Sequence, residues 1–251
     1  MSLFLVNIRF QIAAICFLAI IMFRYFRMNK LSSWSTRIFN RVLVGTCITL
    51  VLDITTVYTI THMDTVPAGL NDWCHRLFVF FLVRVMVALY LYIEAIGRKQ
   101  KRFSRVETVI RLIPYYAAVG VILFGDIEYY CGPDGAYSYG VMPSVVYVIT
   151  LIYTIAVPLS AWHFNKTLQK ERLVTIVIGT GIWLVAALIQ LFVPTLLISG
   201  LGLVLLVFFF YLSFQHSGAL QHSGTGIFNE QALKFALDEE TATGKPFYVV
   251  N

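Results

Sequence analysis

The sequence predicts an all-α membrane protein: a bundle of seven transmembrane helices with its N-terminus outside, followed by a short cytoplasmic α/β stub. Three observations predict it. The chain is 59% hydrophobic over 251 residues and only 13% charged, about half the roughly 25% charge of a soluble domain. Seven apolar runs are each long enough to cross a bilayer, which takes roughly 20 residues. Lysine and arginine are confined to alternate gaps between those runs.

The runs are Leu3–Phe26, Ile38–Thr61, Trp73–Ile96, Val106–Phe124, Val141–Phe164, Leu173–Val193 and Thr195–Phe214, the last two joined by a tight turn at Pro194. Leu3–Phe26 has no basic residues before it and no small-residue cleavage site after it, so it reads as a span and not as a signal peptide. The first gap holds Arg24, Arg27, Lys30, Arg37 and Arg41; the third holds Arg98, Lys99, Lys101, Arg102, Arg105 and Arg111; the fifth holds Lys166, Lys170 and Arg172. The second gap (62–72) and the fourth (125–140) have neither residue type, and the fourth carries Asp126, Glu128 and Asp134. The positive-inside rule places the odd gaps in the cytoplasm. The net charge of +6 is thereby accounted for as a topology signal, with no continuous basic face for nucleic acid.

Trp34, Trp73 and Trp162 fall near span ends, where indole prefers the headgroup layer. Pro114 and Pro158 lie within spans, where neighbouring groups can satisfy the freed carbonyls.

After Phe214 the chain turns polar (216–226), then reads as a helix (229–240), a turn (241–246) and the start of a buried strand, Phe247-Tyr248-Val249-Val250. One helix and one strand cannot form a core. The expectation is therefore a seven-helix domain over 1–214, a linker over 215–224, and over 225–251 the opening of a domain cut short at Asn251.

Thr225-Gly226-Ile227-Phe228-Asn229, then a helix, Lys245-Pro246 and an apolar strand, resembles the start of a diguanylate cyclase (GGDEF) domain. Thr225, Gly226 and Asn229 match that motif, with Ile227 a conservative change. His222, Gly224 and Glu230 depart from its Asp, Leu and Arg, as in a degenerate copy. The membrane part is similar to the multi-span sensor regions that precede GGDEF domains in bacteria. Leu52-Asp53-Ile54, Tyr137-x-Tyr139-Gly140 and Ile189-Gln190-x-Phe192-x-Pro194 carry this likeness. The resemblance implies a sensory module in a bacterial inner membrane that regulates a cyclic-di-GMP output domain and dimerises through it. The catalytic Gly-Gly-Asp/Glu-Glu-Phe signature is absent from these 251 residues, so this stretch is not expected to be an enzyme, and no cofactor is implied.

Charges within spans are costly and mark functional candidates. Asp53 and Arg84 both fall roughly 13–17 Å below the outer surface at ~1.5 Å per residue, on neighbouring spans, and are expected to pair. Either the pair fixes helix register, or a ligand competes for it. Arg9, near the outer end of the first span, either anchors an anion or snorkels to headgroups. Gln190 reads as an interhelical hydrogen-bonding residue. Cys74 and Cys131 both fall on the outer side, where a disulfide can persist; Cys16 and Cys47 read as buried small apolar residues. Trp73, His75 and the tyrosines of the fourth gap, Tyr130 among them, form either an outward recognition site or an interfacial aromatic belt. No metal-binding or nucleophile motif is present. Beside the sensor stands a small transporter or channel, disfavoured because no inverted repeat is evident and only two charges lie deep. A membrane-bound enzyme would need polar clusters that the spans lack.

Overall fold

In the computed structural model the described residues are 8–28, 33–99, 101, 103–132, 135–168 and 170–215, with 230, 233 and 237. Among them are seven α-helices and one hairpin: α1 (Arg9–Arg27), α2 (Trp34–Thr61), α3 (Ala68–Gly97), α4 (Arg105–Phe124), β1 (Glu128–Gly132), β2 (Gly135–Tyr139), α5 (Val141–His163), α6 (Lys170–Phe192) and α7 (Ser199–Phe210). A π-helical turn, Tyr211–Gln215, prolongs α7. The GGDEF-like positions Thr225, Gly226 and Asn229 lie outside the described residues.

Six of the helices are long and apolar enough to cross a membrane, and α7 with its extension, Ser199–Phe214, is shorter. The chain is thus read as a multi-pass membrane protein. The helix expected from Thr195 begins only at Ser199. Leu197 is used instead to plug a small cluster with Ile8 and Val57, which holds the crossover between α6 and α7 against α1 and α2.

Local signals set the helix starts. Ser33 caps α2 by accepting from the Thr36 amide at 3.0 Å. Ser104 and Glu107 form a reciprocal capping box at the start of α4. Buried threonines such as Thr46, Thr49, Thr150 and Thr154 turn their hydroxyls back to carbonyls one turn earlier, which hides a polar group within an apolar bundle.

α3 is the central helix, with 61% of its most apolar window buried, whereas α4 is peripheral with 11%. The outer stripe of α4, Val106, Val109, Ile110, Ile113 and Phe124, is exposed and forms an apolar face suited to lipid. Phe39 of α2 packs on Tyr92 of α3 at 5.3 Å between ring centroids, while Asp53 and His75 meet at one cavity at the other end; the two helices are antiparallel. α7 runs alongside α1, with Phe17 on Phe208 at 5.0 Å and Tyr25 near Tyr211. A Cβ at Gly202 would fall 2.6 Å from that of Ala186 on α6, so α6 and α7 pack at a distance only a glycine permits.

The stretch 128–139, within the fourth gap, is an antiparallel hairpin. It pairs Glu128 with Tyr139 and Tyr130 with Tyr137 and packs against α2 and α5. Gly-Pro-Asp-Gly between two tyrosine-rich stretches is the turn signal that could have revealed it.

Candidate functional site

Beneath the hairpin lies a cavity of about 440 Å³, lined among others by Asp53 of α2, His75 and Phe78 of α3, Tyr137 of β2, Tyr147 of α5 and Gln190 of α6. That size suits a small organic ligand. Its wall contains one carboxylate and no lysine or arginine among the described residues.

Asp53 is 6% exposed. The expected pair with Arg84 does not form. Arg84 is exposed, with its guanidinium 5.7 Å from the Phe81 ring centroid and Tyr115 of α4 as an electrostatic neighbour. The two residues share a depth but not a direction. Along α3, Leu77, Phe81 and Arg84 follow one another at helical spacing on the outer side, while Val83, Val85 and Met86 are buried.

Asp53 instead faces the start of α7. A Cβ at Gly200 would lie 3.1 Å from Asp53 Oδ2 and 3.0 Å from Leu50 Cδ2, so the missing side chain lets the first turn of α7 come close to the carboxylate without displacing it. That turn carries the partial positive charge of a helix N-terminus. Its Ser199 amide already donates to Gln190 Oε1 at 2.9 Å. The Gln11 side-chain amide of α1 lies beside Asp53 and is fully buried. Tyr147 neighbours both Asp53 and Gln190. Four helices thus surround the acid with dipoles, and none of them supplies a full positive charge.

His75 is 2% exposed. Its Nδ1 lies 2.9 Å from the Asn71 carbonyl; a carbonyl only accepts, so Nδ1 carries the proton and Nε2 is the acceptor of the neutral ring. Tyr129 packs edge-on against this imidazole at 4.9 Å, and its hydroxyl donates to Asp72 Oδ1 at 3.4 Å. Asp72 also accepts from Arg76 Nε at 2.7 Å, and Arg76 reaches the Ile122 carbonyl at the end of α4. Burial, and then the Asp72 charge, push the Tyr129 phenol well above its usual range.

The remaining expected positions lie elsewhere. Arg9 is exposed, over the Phe10 ring at 5.0 Å, and Trp73 is also exposed. Tyr130 stacks on Tyr137 at 4.9 Å on the hairpin, next to the cavity but outside its wall. The Cys74–Cys131 disulfide is not formed: all four cysteines are free, with Cys74 buried and Cys131 exposed. The hairpin docks on α3 through Tyr129 at its base, which leaves Cys131 further along towards the turn. Among the described residues no group of three metal-binding side chains converges.

The far end of the bundle holds a second buried acid that the count of two deep charges missed. Glu94 of α3 is 3% exposed. It is 3.1 Å from Arg111 Nη1 and 3.3 Å from Arg98 Nε, and accepts from Ser160 Oγ at 2.7 Å. Arg98 bridges onward to Glu107 at 3.2 Å, and Arg111 also contacts the Tyr90 hydroxyl. The Tyr153 hydroxyl of α5 donates to the Arg111 carbonyl at 3.0 Å and accepts from the Tyr115 amide at 3.2 Å. It is spliced into the α4 backbone ladder beside Pro114, where that helix has lost a donor. Gln11 and Glu94 had a signal in the sequence, since each is a polar residue inside an apolar run.

No family model, curated protein or solved structure matches this chain; its function is therefore read from this geometry.

Proposed function

We propose that this chain is the sensory module of a bacterial inner-membrane signalling protein, with seven spans, the N-terminus and hairpin outside and the tail in the cytoplasm. Basic residues cluster beside Glu94, at the end opposite the hairpin, and that asymmetry supports the orientation. A ligand enters the cavity beneath the hairpin, and α7 carries the response to an output domain of the GGDEF type, which acts as a dimer. Thr225, Gly226 and Asn229 support the identity of that output.

One observation carries the sensory reading. The one carboxylate in the cavity wall among the described residues touches the first turn of the helix that leads into the tail. Whatever alters Asp53 alters the seat of α7, and the bundle has a route from ligand to output by a shift between two packings.

The test uses cells producing the complete gene product. Gly200→Leu forces α7 off α2 and is expected to change cellular cyclic-di-GMP at unchanged protein level. The lipid-facing Ile113→Ala should leave it at the wild-type value. An unchanged level in Gly200→Leu would sink the sensory reading. Solute flux into vesicles reconstituted with the wild type would replace it with the transporter.

A further inference from the structure

Resting on the reading of the cavity as an input site, we infer that its ligand is a small organic cation, an amine with an apolar body, whose charge is received by Asp53. Three features of the wall select this class. First, among the described residues Asp53 is the only formal charge in the wall: lysine and arginine are absent from it, and Arg84 points away. An anion would meet a carboxylate with nothing to offset it.

Second, the groups around Asp53 are dipoles without net charge. The first turn of α7, the Gln11 amide, and Tyr147 with Gln190 hold the carboxylate in place. The space on its cavity side has room for a full positive charge to complete the set. Third, the surrounding wall presents aromatic rings and aliphatic surface beside the hydroxyls of Thr56, Ser138 and Ser144. Tyr137, Tyr147, Phe78 and His75 provide ring faces that attract an ammonium group, and Val57 and Leu197 provide surface for an apolar body.

The amine neutralises Asp53 and competes with the α7 N-terminus for its oxygens. Binding is thereby coupled to the one helix that continues into the tail. No separate relay is needed, because Gly200 and the ligand lie against the same carboxylate.

The experiment uses the full chain in lipid nanodiscs and five probes: 2-phenylethylamine, phenyltrimethylammonium and cadaverine as cations, 2-phenylethanol as the matched neutral, and phenylacetate as the matched anion. Binding is read by isothermal calorimetry. At least one cation is expected to bind saturably, more tightly than the neutral and the anion. Its affinity should fall roughly 30-fold or more in Asp53→Asn, as when one partner of a buried charge pair is removed, while Arg84→Gln keeps it. If Asp53→Asn fails to fold, Tyr147→Leu provides the second variant, with a loss of about tenfold from the missing ring face.

Equal binding of 2-phenylethanol and 2-phenylethylamine, or full cation affinity in Asp53→Asn, overturns the cation assignment and leaves the cavity as an input site. No binding of any probe also overturns it. In that case the cavity reading is decided separately by Ser144→Trp, which fills the cavity mouth. If cellular cyclic-di-GMP then stays at the wild-type level, the input-site reading falls too.

Discussion

Among the described residues each end of the bundle buries one acid, and the two are treated in opposite ways. Glu94, at the end away from the hairpin, meets two arginines and a serine hydroxyl. Asp53, under the hairpin, meets a helix N-terminus, the Gln11 amide and an open cavity. Both side chains lose most of their hydration on folding. At the far end the protein supplies the counter-charge itself; at the hairpin end it leaves that place open. A buried ion pair with satisfied hydrogen bonds suits a structural role, whereas a buried acid without an ion-pair partner is a functional candidate.

The largest expected effect tests that contrast directly. Glu94→Ala strips two arginines of their shared partner and should lower stability by about 3 kcal/mol, the scale for breaking a buried pair from one side. Asp53→Asn removes a desolvated charge that has no ion-pair partner among the described residues, and should leave stability unchanged or raise it. Thermal unfolding of both variants in the same detergent measures the difference. Equal losses would mean that Asp53 is as structural as Glu94, and the contrast between the ends would collapse.

Next in size is the wedge at the α2–α7 contact. Gly200→Ala places a methyl 3.1 Å from Asp53 Oδ2 and 3.0 Å from Leu50, tighter than ordinary contact, and should cost about 1–2 kcal/mol by overpacking. The control, Gly181→Ala, meets open space and should be neutral or slightly stabilising within its helix. Indistinguishable unfolding curves would show that α7 yields without cost.

Tyr153→Phe probes the far end more finely. It removes the hydroxyl that bridges the α4 ladder between the Tyr115 amide and the Arg111 carbonyl, at about 1 kcal/mol for one hydrogen bond. The specific readout is hydrogen exchange at the Tyr115 amide, which should quicken by roughly fivefold. Unchanged exchange there would show that α4 closes its own ladder beside Pro114.

Much of the fold was legible because lipid imposes simple rules. Six helices coincide with apolar runs, and their ends shift by a few residues where capping groups such as Ser33 and Ser104 extend them. The hairpin was harder to read. It is five residues a side, and its tyrosines fit an interfacial belt equally well. At the site, Asp53 and His75 were found by residue type alone, but the partner given to Asp53 was wrong. Hydropathy gives depth along a helix and says nothing of azimuth; Arg84 had the right depth and the wrong face. Gly200 and Gly202 mark the last run for close packing with a neighbour, but the contact is tertiary, and the sequence does not say that Asp53 is what Gly200 meets. Glu94 escaped notice because it lies three residues from the end of the α3 helix, next to a basic gap that reads as solvent.

The smallest effect concerns the rim that ties the hairpin to α3. Tyr129 must stay neutral to donate its hydroxyl to the Asp72 carboxylate, and both burial and that charge hold its proton on. A phenol whose folded pKa is raised binds more protons when folded than when unfolded once the pH passes the unfolded value, about 10 for tyrosine. Stability is then lost as pH rises. The Tyr129 contribution is therefore fully present below pH ~10 and declines through the alkaline range above it. Tyr129→Phe should flatten that part of the curve while costing only about 0.5–1 kcal/mol at neutral pH, the worth of one long hydrogen bond at a partly exposed rim. Asp72→Asn should flatten it less, since burial is the larger cause of the shift and remains. An alkaline slope identical in wild type and Tyr129→Phe would mean that the hairpin is not held to α3 by this contact. The cavity roof would then depend on the α2 and α5 contacts alone.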